Sequence, residues 1–534
     1  MATKVSSEML QHLPNVANFV SRKTSDKLLE IEVNVKDFNV FAGGGVLDDT
    51  TTIQKAIDYV ASIGGGWVCF TQGVYLAKNI RMKSNVWFKG KGGIVKTLGT
   101  AIAEERLFYT AENVNRVKFR DMILDGNKGV VPGDMFSGVP LVELAFGKTV
   151  SRVEIIDCEF RNNGYVGFRS IATSNRIKIT GCEFYDVDAC CWFGLAPASN
   201  VRIYGNNFEE GLSEGVTIDL GTGFSYRNFS ISNNTCKNKV SCVFVDADVR
   251  GLSIVGNVIE GTGQPVTSGP AIRVDNGDGS PGRYTVSGNN ISGHGIGIHI
   301  KGTNASVTGN TIEECRLEGI LSTASNVKIC SNSITNINRG TGTPNRSAIV
   351  IESGSKVSVT ENVCVDTAGS PIHFSVIRVS SGDDITVANN EGFGFTDVGV
   401  YVDAVCSKIK VYDNHMAGGG SNSYFLESGG LGTVVSVCHG NTSDRPNSFS
   451  INSNATNIRA EEFVTLSNGT ASQLDTINSI SISAGRTLTL RFASISTITH
   501  NVGNIKTRNS ANITTSVGST FQAVSDGTHW TVLN

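Results

Sequence analysis

Four short segments, V-T-I-D (216–219), V-F-V-D (243–246), I-R-V-D (272–275) and I-H-I-K (298–301), recur in this chain after similar preludes. Their charged ends, Asp219, Asp246, Asp275 and Lys301, stand 27, 29 and 26 residues apart. That interval is too long for helix or strand periodicity and fits one turn of a solenoid. Strands stacked in register lie about 4.8 Å apart, so the three acids would form a row on one outer wall. Breaking a glycosidic bond takes one carboxylic acid to protonate the leaving oxygen and a second carboxylate to attack or to activate water. Retaining chemistry wants the carboxyls about 5–5.5 Å apart and inverting chemistry about 6.5–9.5 Å. Adjacent and next-but-one rungs, roughly 4.8 and 9.6 Å apart at the backbone, permit either. Three like charges in a row raise at least one carboxyl pKa, as a general acid requires, while Arg273 can keep a neighbour ionised. Asp246 and Asp275 are the expected acid and base, with Asp219 third.

Side chains on a strand alternate between faces. With the apolar residues inward, the outward pairs run Thr217/Asp219, Phe244/Asp246, Arg273/Asp275, His299/Lys301, Leu321/Thr323, Val350/Glu352, Arg378/Ser380 and Tyr401/Asp403, and Trp192 points outward on the turn before. Arg273, His299 and Lys301 are the groups expected to orient or neutralise substrate carboxylates, with Glu352, Arg378 and Tyr401 along the same strip. Trp192 and Phe244 offer faces for stacking sugar rings. A solvated or subunit-contacting face would also carry such charges. Glu214 and Glu318, each just before a strand, read as structural, and His294 and His373 as loop residues. The stretch G-H-G-I-G-I-H (293–299) is no phosphate loop, because no helix follows it.

The elements that must position this row are legible as a second repeat. An apolar-x-x-Asn-x-apolar motif places Asn206, Asn234, Asn257, Asn289, Asn310, Asn332, Asn362, Asn390 and Asn414 at intervals of 21 to 32 residues. Constant strands with loops of variable length give that scatter. The Asn side chains are expected to stack at a bend and bond the backbone of neighbouring turns; Cys158 and Cys182 hold the same slot in two earlier turns. The repeat fades after about Asn414. Residues 446–534, with alternating runs such as T-L-T-L-R-F (487–492), read as a separate antiparallel β domain joined near 440–460.

Glycine, 60 of 534 residues or about 11 %, exceeds the usual 7 % or so, which suits tight turns between short strands. The net charge of −3 and the lack of a Lys/Arg run argue against nucleic acid or an anionic membrane as partner. No apolar core long enough for a signal peptide opens the chain, and no segment approaches 18 uninterrupted apolar residues, so a soluble product outside the common export route is expected. The twelve cysteines show no C-x-x-C pair and no zinc spacing, and read as reduced core residues, Cys190 and Cys191 included. No metal or cofactor is expected.

Residues 1–36 are patternless apart from a weak apolar spacing (Met9, Leu13, Val16, Val20) and read as a leader or an anchoring peptide. From Lys36 the character changes. Asp49 or Thr50 can cap a helix whose apolar residues Ile53, Ala56, Ile57 and Val60 share one face, with Gly64 as its stop. W-V-C-F and V-Y-L follow as strands, so the helix would cover the open end of a β-structure. This opening resembles that of phage tailspike proteins with a pectate-lyase-like right-handed parallel β-helix. The resemblance is carried by Val35, Lys36, Asp37, Phe38, Gly43, Gly45, Asp48, Asp49, Thr50, Ile53, Gln54, Ala56, Ile57, Asp58, the 64–66 glycine run, Phe70, Gly73 and Tyr75, with departures at Gly44, Leu47 and Gln72.

The resemblance implies an all-β fold: an N-terminal capping helix near 50–62, a parallel β-helix over 37–445 and a C-terminal β domain. It also implies a virion tail spike, a homotrimer docked through its N-terminus onto another phage tail protein, that binds and depolymerises a bacterial surface polysaccharide. The ending V-S-D-G-T-H-W-T-V (524–532) resembles terminal modules that hold such trimers together, with glycan binding as the competing role. Tailspike hydrolases carry Asp/Glu clusters outside the helix, which agrees in kind with the row. A lyase on the same fold, with Lys301, His299, Arg378 or Tyr401 as base, and a non-catalytic spike remain the alternatives.

Overall fold

The structure, a computed structural model, describes residues 31–38, 47–99, 105–131, 138–219, 224–261, 269–275, 282–337, 346–367 and 373–417, and shorter stretches between 424 and 533. The leader up to residue 30, including the spacing from Met9 to Val20, lies outside them. Glu32–Asn34 already pairs in parallel with the strand Gly66–Ala77. The expected helix forms over Thr50–Ser62 and buries Ile53, Ala56, Ile57 and Val60. Gly64, at φ +101°, turns the chain out of it, and the Gly65 N–H donates to the Val60 carbonyl at 3.0 Å. The two strands expected next are one, Gly66–Ala77, with a register irregularity at Thr71 where a turn was anticipated.

From there the chain coils through about 13 turns. A representative turn consists of Tyr226–Ser232, Thr235–Lys237 and Val243–Asp246, and each strand pairs in parallel with its counterpart one turn on, Val249–Val255, Val258–Glu260 and Pro270–Asp275. The crossovers take the right-handed sense usual for parallel strands. Inside, like residues stack on like. Phe160, Phe184 and Phe208 are register partners with ring centroids 4.5 and 5.2 Å apart, and Ile179, Ile203, Ile231 and Ile254 form a second fully buried column. The eleven described cysteines are free and buried, Cys190 and Cys191 among them. Burial pushes the Cys190 thiol up to about 11, so it remains a protonated core residue.

The asparagines make one continuous ladder. Each donates through Nδ2 to the Oδ1 of the next at 2.8 to 3.0 Å, and each Oδ1 also accepts the preceding Asn's backbone N–H at 3.0 Å. A further Nδ2 bond reaches a strand carbonyl, for instance Val286 from Asn310 at 3.0 Å. The ladder runs one rung further than the motif foretold, from Asn414 to Asn441, and it begins where the Cys182 N–H donates to Asn206 Oδ1 at 2.9 Å. The residue before each of the nine motif asparagines, from Gly205 to Asp413, is left-handed with φ between +53° and +67°. That conformation suits Gly and Asn best, and Gly or Asn fills six of those nine positions.

Near the C-terminus, parallel pairing continues through Tyr424–Ser428, Phe449–Asn452, Phe463–Ser467 and Thr487–Phe492. Antiparallel pairing enters where Thr520–Ser525 joins Thr487–Phe492 and Trp530–Leu533. A small separate sheet is formed by Ser472–Leu474, Ser496–Ile498 and Ile513–Thr514. Trp530, from the motif at the chain's end, is fully buried. No helix among the described residues is long and apolar enough to cross a membrane.

Replacing a mid-ladder asparagine tests this account. Asn310→Ala removes the acceptor of two buried Asn289 groups, the Nδ2 and the backbone N–H, and a donor to Asn332. Each orphaned group costs about 1–3 kcal/mol. Unfolding of Asn310→Ala by guanidinium should show a loss of several kcal/mol, while Asn336→Ala, outside the ladder, loses far less.

Candidate active site

The outward register holds along the whole strip. Trp192, Thr217, Phe244, Arg273 and His299 are successive Cα partners, and the column continues through Leu321, Val350 and Arg378 to Tyr401. The alternating residues Val216, Ile218, Val243, Val245, Ile272, Val274, Ile298 and Ile300 are fully buried, which is what turns the polar ones out. In the neighbouring column Asp246 and Asp275 face each other across one rung. Asp219 follows the strand Val216–Ile218, close enough that its charge acts on Asp246.

These acids have different surroundings. Asp275 lies beneath two cations, with Arg273 Nη2 at 3.2 Å and Lys301 Nζ at 3.5 Å from its Oδ2. Asp246 makes no ion pair among the described residues. Burial first, then the charge of Asp275, raises its carboxyl above the usual aspartate range; Asp219 adds to this, and Arg273 and Lys301 oppose it. One member of the row thus favours holding a proton beside a carboxylate backed by cations. His299, on the rung between Arg273 and Leu321, is pushed down to about 4 by burial and then by Lys301 and Arg273. Its Nε2 is buried and has no partner among the described residues, so at neutral pH the ring is an uncharged imidazole.

Aromatic and arginine side chains stack along the same column. The Arg169 guanidinium lies 4.5 Å from the Trp192 ring centroid, Arg273 4.9 Å from Phe244, and Arg378 5.4 Å from Tyr401. Each arginine also holds an acid: Glu143 at 3.3 Å, Asp275 at 3.2 Å and Asp403 at 2.9 Å. The three arginines are four rungs apart in the register, roughly 19 Å per step.

The structure does not gather every predicted residue. Glu352, Arg378 and Tyr401 share the face but lie three to five rungs beyond Asp275, Glu352 exposed on the rung of Val350 and the other two past it. His294 is a loop residue, in the bend between Asn290–Ser292 and Ile296–Ile300, yet it is buried, and burial pushes it down to about 4. His373 opens the strand His373–Ala388. Glu318 is buried against Arg346, and burial raises its carboxyl, in keeping with a structural part. Glu214 turns toward the column, its Oε2 3.4 Å from Thr217 Oγ1.

The sequence reading passed over Glu143 and Arg169. Glu143 is fully buried between Arg106, at 2.7 Å, and Arg169. The signal was present in G-F-R-S (167–170), one turn before C-W-F-G (191–194), but those early turns lack the asparagine that indexed the others. On the neighbouring face a cavity of about 470 Å³ is bordered by Lys96, Asp125, Asn127 and Arg161. Its carboxylate is already occupied by Arg161 at 2.9 Å and the Asn127 N–H at 2.9 Å.

A family model described as a right handed beta helix region matches residues 146–279 and 267–376. The chain is a right-handed parallel β-helix. Among curated proteins, alginate lyase 7 of Azotobacter vinelandii is 33 % identical over 146 residues, 23 % of this chain and 17 % of that protein. A mannuronan C5-epimerase of the same organism is 34 % identical over 120 residues, 19 % of this chain and 12 % of the relative. The matched stretches thus span under a fifth of these relatives' lengths. Among solved structures, a tailspike protein of an E. coli bacteriophage in complex with a hexasaccharide aligns over 78 % of this chain and 80 % of its own, at 14 % identity and a TM-score of 0.42. A family 28 exopolygalacturonase of Yersinia enterocolitica covers 77 % and 78 %, at 15 % identity and a TM-score of 0.44. The β-helix fold is one shared with proteins that act on polysaccharides.

The electrostatics of the β-helix face can be read directly at His299. Because its folded pKa lies below the unfolded value of 6.5, the stability it lends is complete above pH 6.5 and is lost as pH falls toward about 4. NMR of ring-labelled histidine should place the His299 midpoint near 4. Lys301→Gln should move that midpoint up, and an unmoved midpoint would mean that the cation does not act on the ring.

Proposed function

We propose that this β-helix is a tailspike-type depolymerase, which binds a bacterial surface polysaccharide and hydrolyses it at the Asp219–Asp246–Asp275 row. The observation carrying this reading is the pair of facing carboxylates in unlike surroundings. Asp246 has the raised affinity for a proton that a general acid needs, and Asp275, backed by Arg273 and Lys301, is suited to act as nucleophile or as base toward water. Asp219 sustains the charge that keeps the proton on Asp246. Arg273 and Lys301 lie where an anionic sugar would need neutralising, and Arg378 and Tyr401 are suited to grip the polymer further along. The resemblance of residues 35–75 to tailspike openings supports a place on the virion, with residues 1–36 as the segment that docks onto another phage tail protein, and the ending at 524–532 supports a homotrimer.

A second reading rests on His299. A neutral imidazole flanked by Arg273 and Lys301 is what β-elimination on a uronate polymer asks for: a base beside cations that stabilise the carboxylate's developing charge. The curated relatives, an alginate lyase and an epimerase, act in that chemical neighbourhood. Mass spectra of products from a panel of capsules, O-antigens, alginate and polygalacturonate separate the two. Hydrolysis adds water to the new ends, whereas elimination leaves an unsaturated sugar whose conjugated double bond absorbs near the short-wavelength edge of the ultraviolet.

Asp246→Asn is the decisive variant. As an acid with a raised folded pKa, Asp246 binds more protons folded than unfolded, so it costs the protein stability as pH rises above its unfolded value of 3.8. Asp246→Asn should therefore cut kcat by 10²–10⁴-fold, the range for a lost general acid, while its melting temperature at pH 7 stays level or rises. A variant that keeps full activity would move the chemistry away from Asp246, and a wild type that binds glycans without cleaving them would leave the β-helix as a binding spike.

A further inference from the structure

Trp192 and Phe244 lie two rungs apart, with only Thr217 between them in the column. Arg169 comes from the rung before Trp192 and covers that side of the indole. Arg273 comes from the rung after Phe244 and covers the far side of the phenyl ring. With an arginine on the outer side of each ring, and Trp192 also packed against Tyr165, Val166 and Ala189, the inner sides of the two rings border the space above Thr217. Thr217, 8 % exposed, is sunk between its larger neighbours and forms a floor. The indole also leans over Gly194: a Cβ there would sit 3.3 Å from three indole atoms, so the absent side chain is what lets Trp192 reach toward the acidic column.

Two rungs separate the rings by roughly 9.6 Å. A van der Waals contact of about 3.5–4.0 Å on each side leaves the thickness of a puckered saturated ring, and too little for two. Apolar C–H faces suit the aromatic walls, and the polar groups at the edges are placed for hydroxyls. Glu214 reaches the Thr217 hydroxyl from one end of the floor. Asp219 follows Thr217 at the other end, with Asp246 one rung on.

We propose that the Trp192–Thr217–Phe244 notch is a subsite for a single pyranose ring, held face-on between the two aromatic rings, with its glycosidic bonds directed along the strand toward Glu214 on one side and Asp219 and Asp246 on the other. This rests on the polysaccharide reading and sharpens it. The polymer runs parallel to the strands at the point of cleavage, across the ladder axis instead of along it, and Glu214 joins the substrate-contacting groups. The occupant is a pyranose with an unsubstituted apolar face, since a bulky substituent on either face would strike a ring wall.

The test is a plugged floor and a double-mutant cycle, assayed on polysaccharides and their oligosaccharide fragments from capsules, O-antigens, alginate and polygalacturonate. Thr217→Phe should lower kcat/KM at least 100-fold with an unchanged circular dichroism spectrum, whereas Ser253→Phe, adding the same bulk on another face, should leave it unchanged. Because a plugged rung can misfold, Trp192→Ala and Phe244→Ala supply the second readout. Each should lower kcat/KM by 10-fold or more, and since both walls grip one ring, the double variant should lose clearly less than the product of the two. Losses that multiply would mean two separate sugar sites and overturn the notch. Wild type that cleaves while all three variants match it would overturn the notch alone. Wild type that neither binds nor cleaves any glycan of the panel would overturn the polysaccharide reading, and the notch with it.

Discussion

Everything on the outer wall depends on the register that the buried asparagine ladder enforces. Ten consecutive asparagines, Asn206 to Asn441, bond each to the next through both backbone and side chain. Shifting one turn against its neighbour by a single residue would break several such bonds in a place no water reaches. It would also turn Asp246 inward and Val245 outward. The constraint is local to the bend, so it tolerates loops of any length elsewhere in the turn. That is why intervals of 21 to 32 residues between motif asparagines coexist with strands in strict register.

Register converts sequence into columns, and columns convert residue type into electrostatics. A carboxylate in one turn has the same position in the next turn as its nearest charged neighbour, so stacking acids builds in repulsion, which burial strengthens. The row answers this in two ways. Asp275 meets Arg273 on its own strand and Lys301 on the next rung, and Asp246, without a cation in contact, takes the consequence as a higher proton affinity. The different behaviour of two chemically identical residues follows from which side of the rung the cations occupy.

This explains what could be read from sequence. The solenoid, the capping helix and the outward placement of the acids follow from local alternation plus one indexing residue per turn, and each is visible in a single pass. The limits have physical causes as well. Where the slot holds Cys158 or Cys182 the index is lost, and Arg169 and Glu143 went unaligned with the column they occupy. His294 is the loop residue its flanking glycines suggest, but its burial comes from the turns above and below, which alternation does not show. Glu214 reads as a turn residue until Thr217, three positions on, is seen to take its carboxylate. Parallel pairing near the C-terminus is set by which distant strand lies alongside, information that alternation does not carry.

The other two walls show that the acidic row is not a by-product of stacking. On the second face, charges of opposite sign follow one another: Lys96, Asp125 and Arg161 are successive partners, as are Glu209, Lys237 and Glu260. Lys237 and Glu260, 3.5 Å apart and both well exposed, make the kind of surface pair worth little but harmful to nothing. On the third face Ser230, Ser253, Thr285 and Ser306 succeed one another without a charge, and on the same strands Arg227, Arg250 and Arg283 succeed one another as exposed side chains whose repulsion water screens. The same fold therefore has three inexpensive solutions, alternation, neutrality and full exposure, and uses all of them. Among the described residues, only on the face bearing Trp192, Phe244 and His299 do three partly buried carboxylates succeed one another, at a cost in proton affinity that a structural wall has no reason to bear. Like charges stacked in register without full exposure to water mark the place where folding gave way to chemistry.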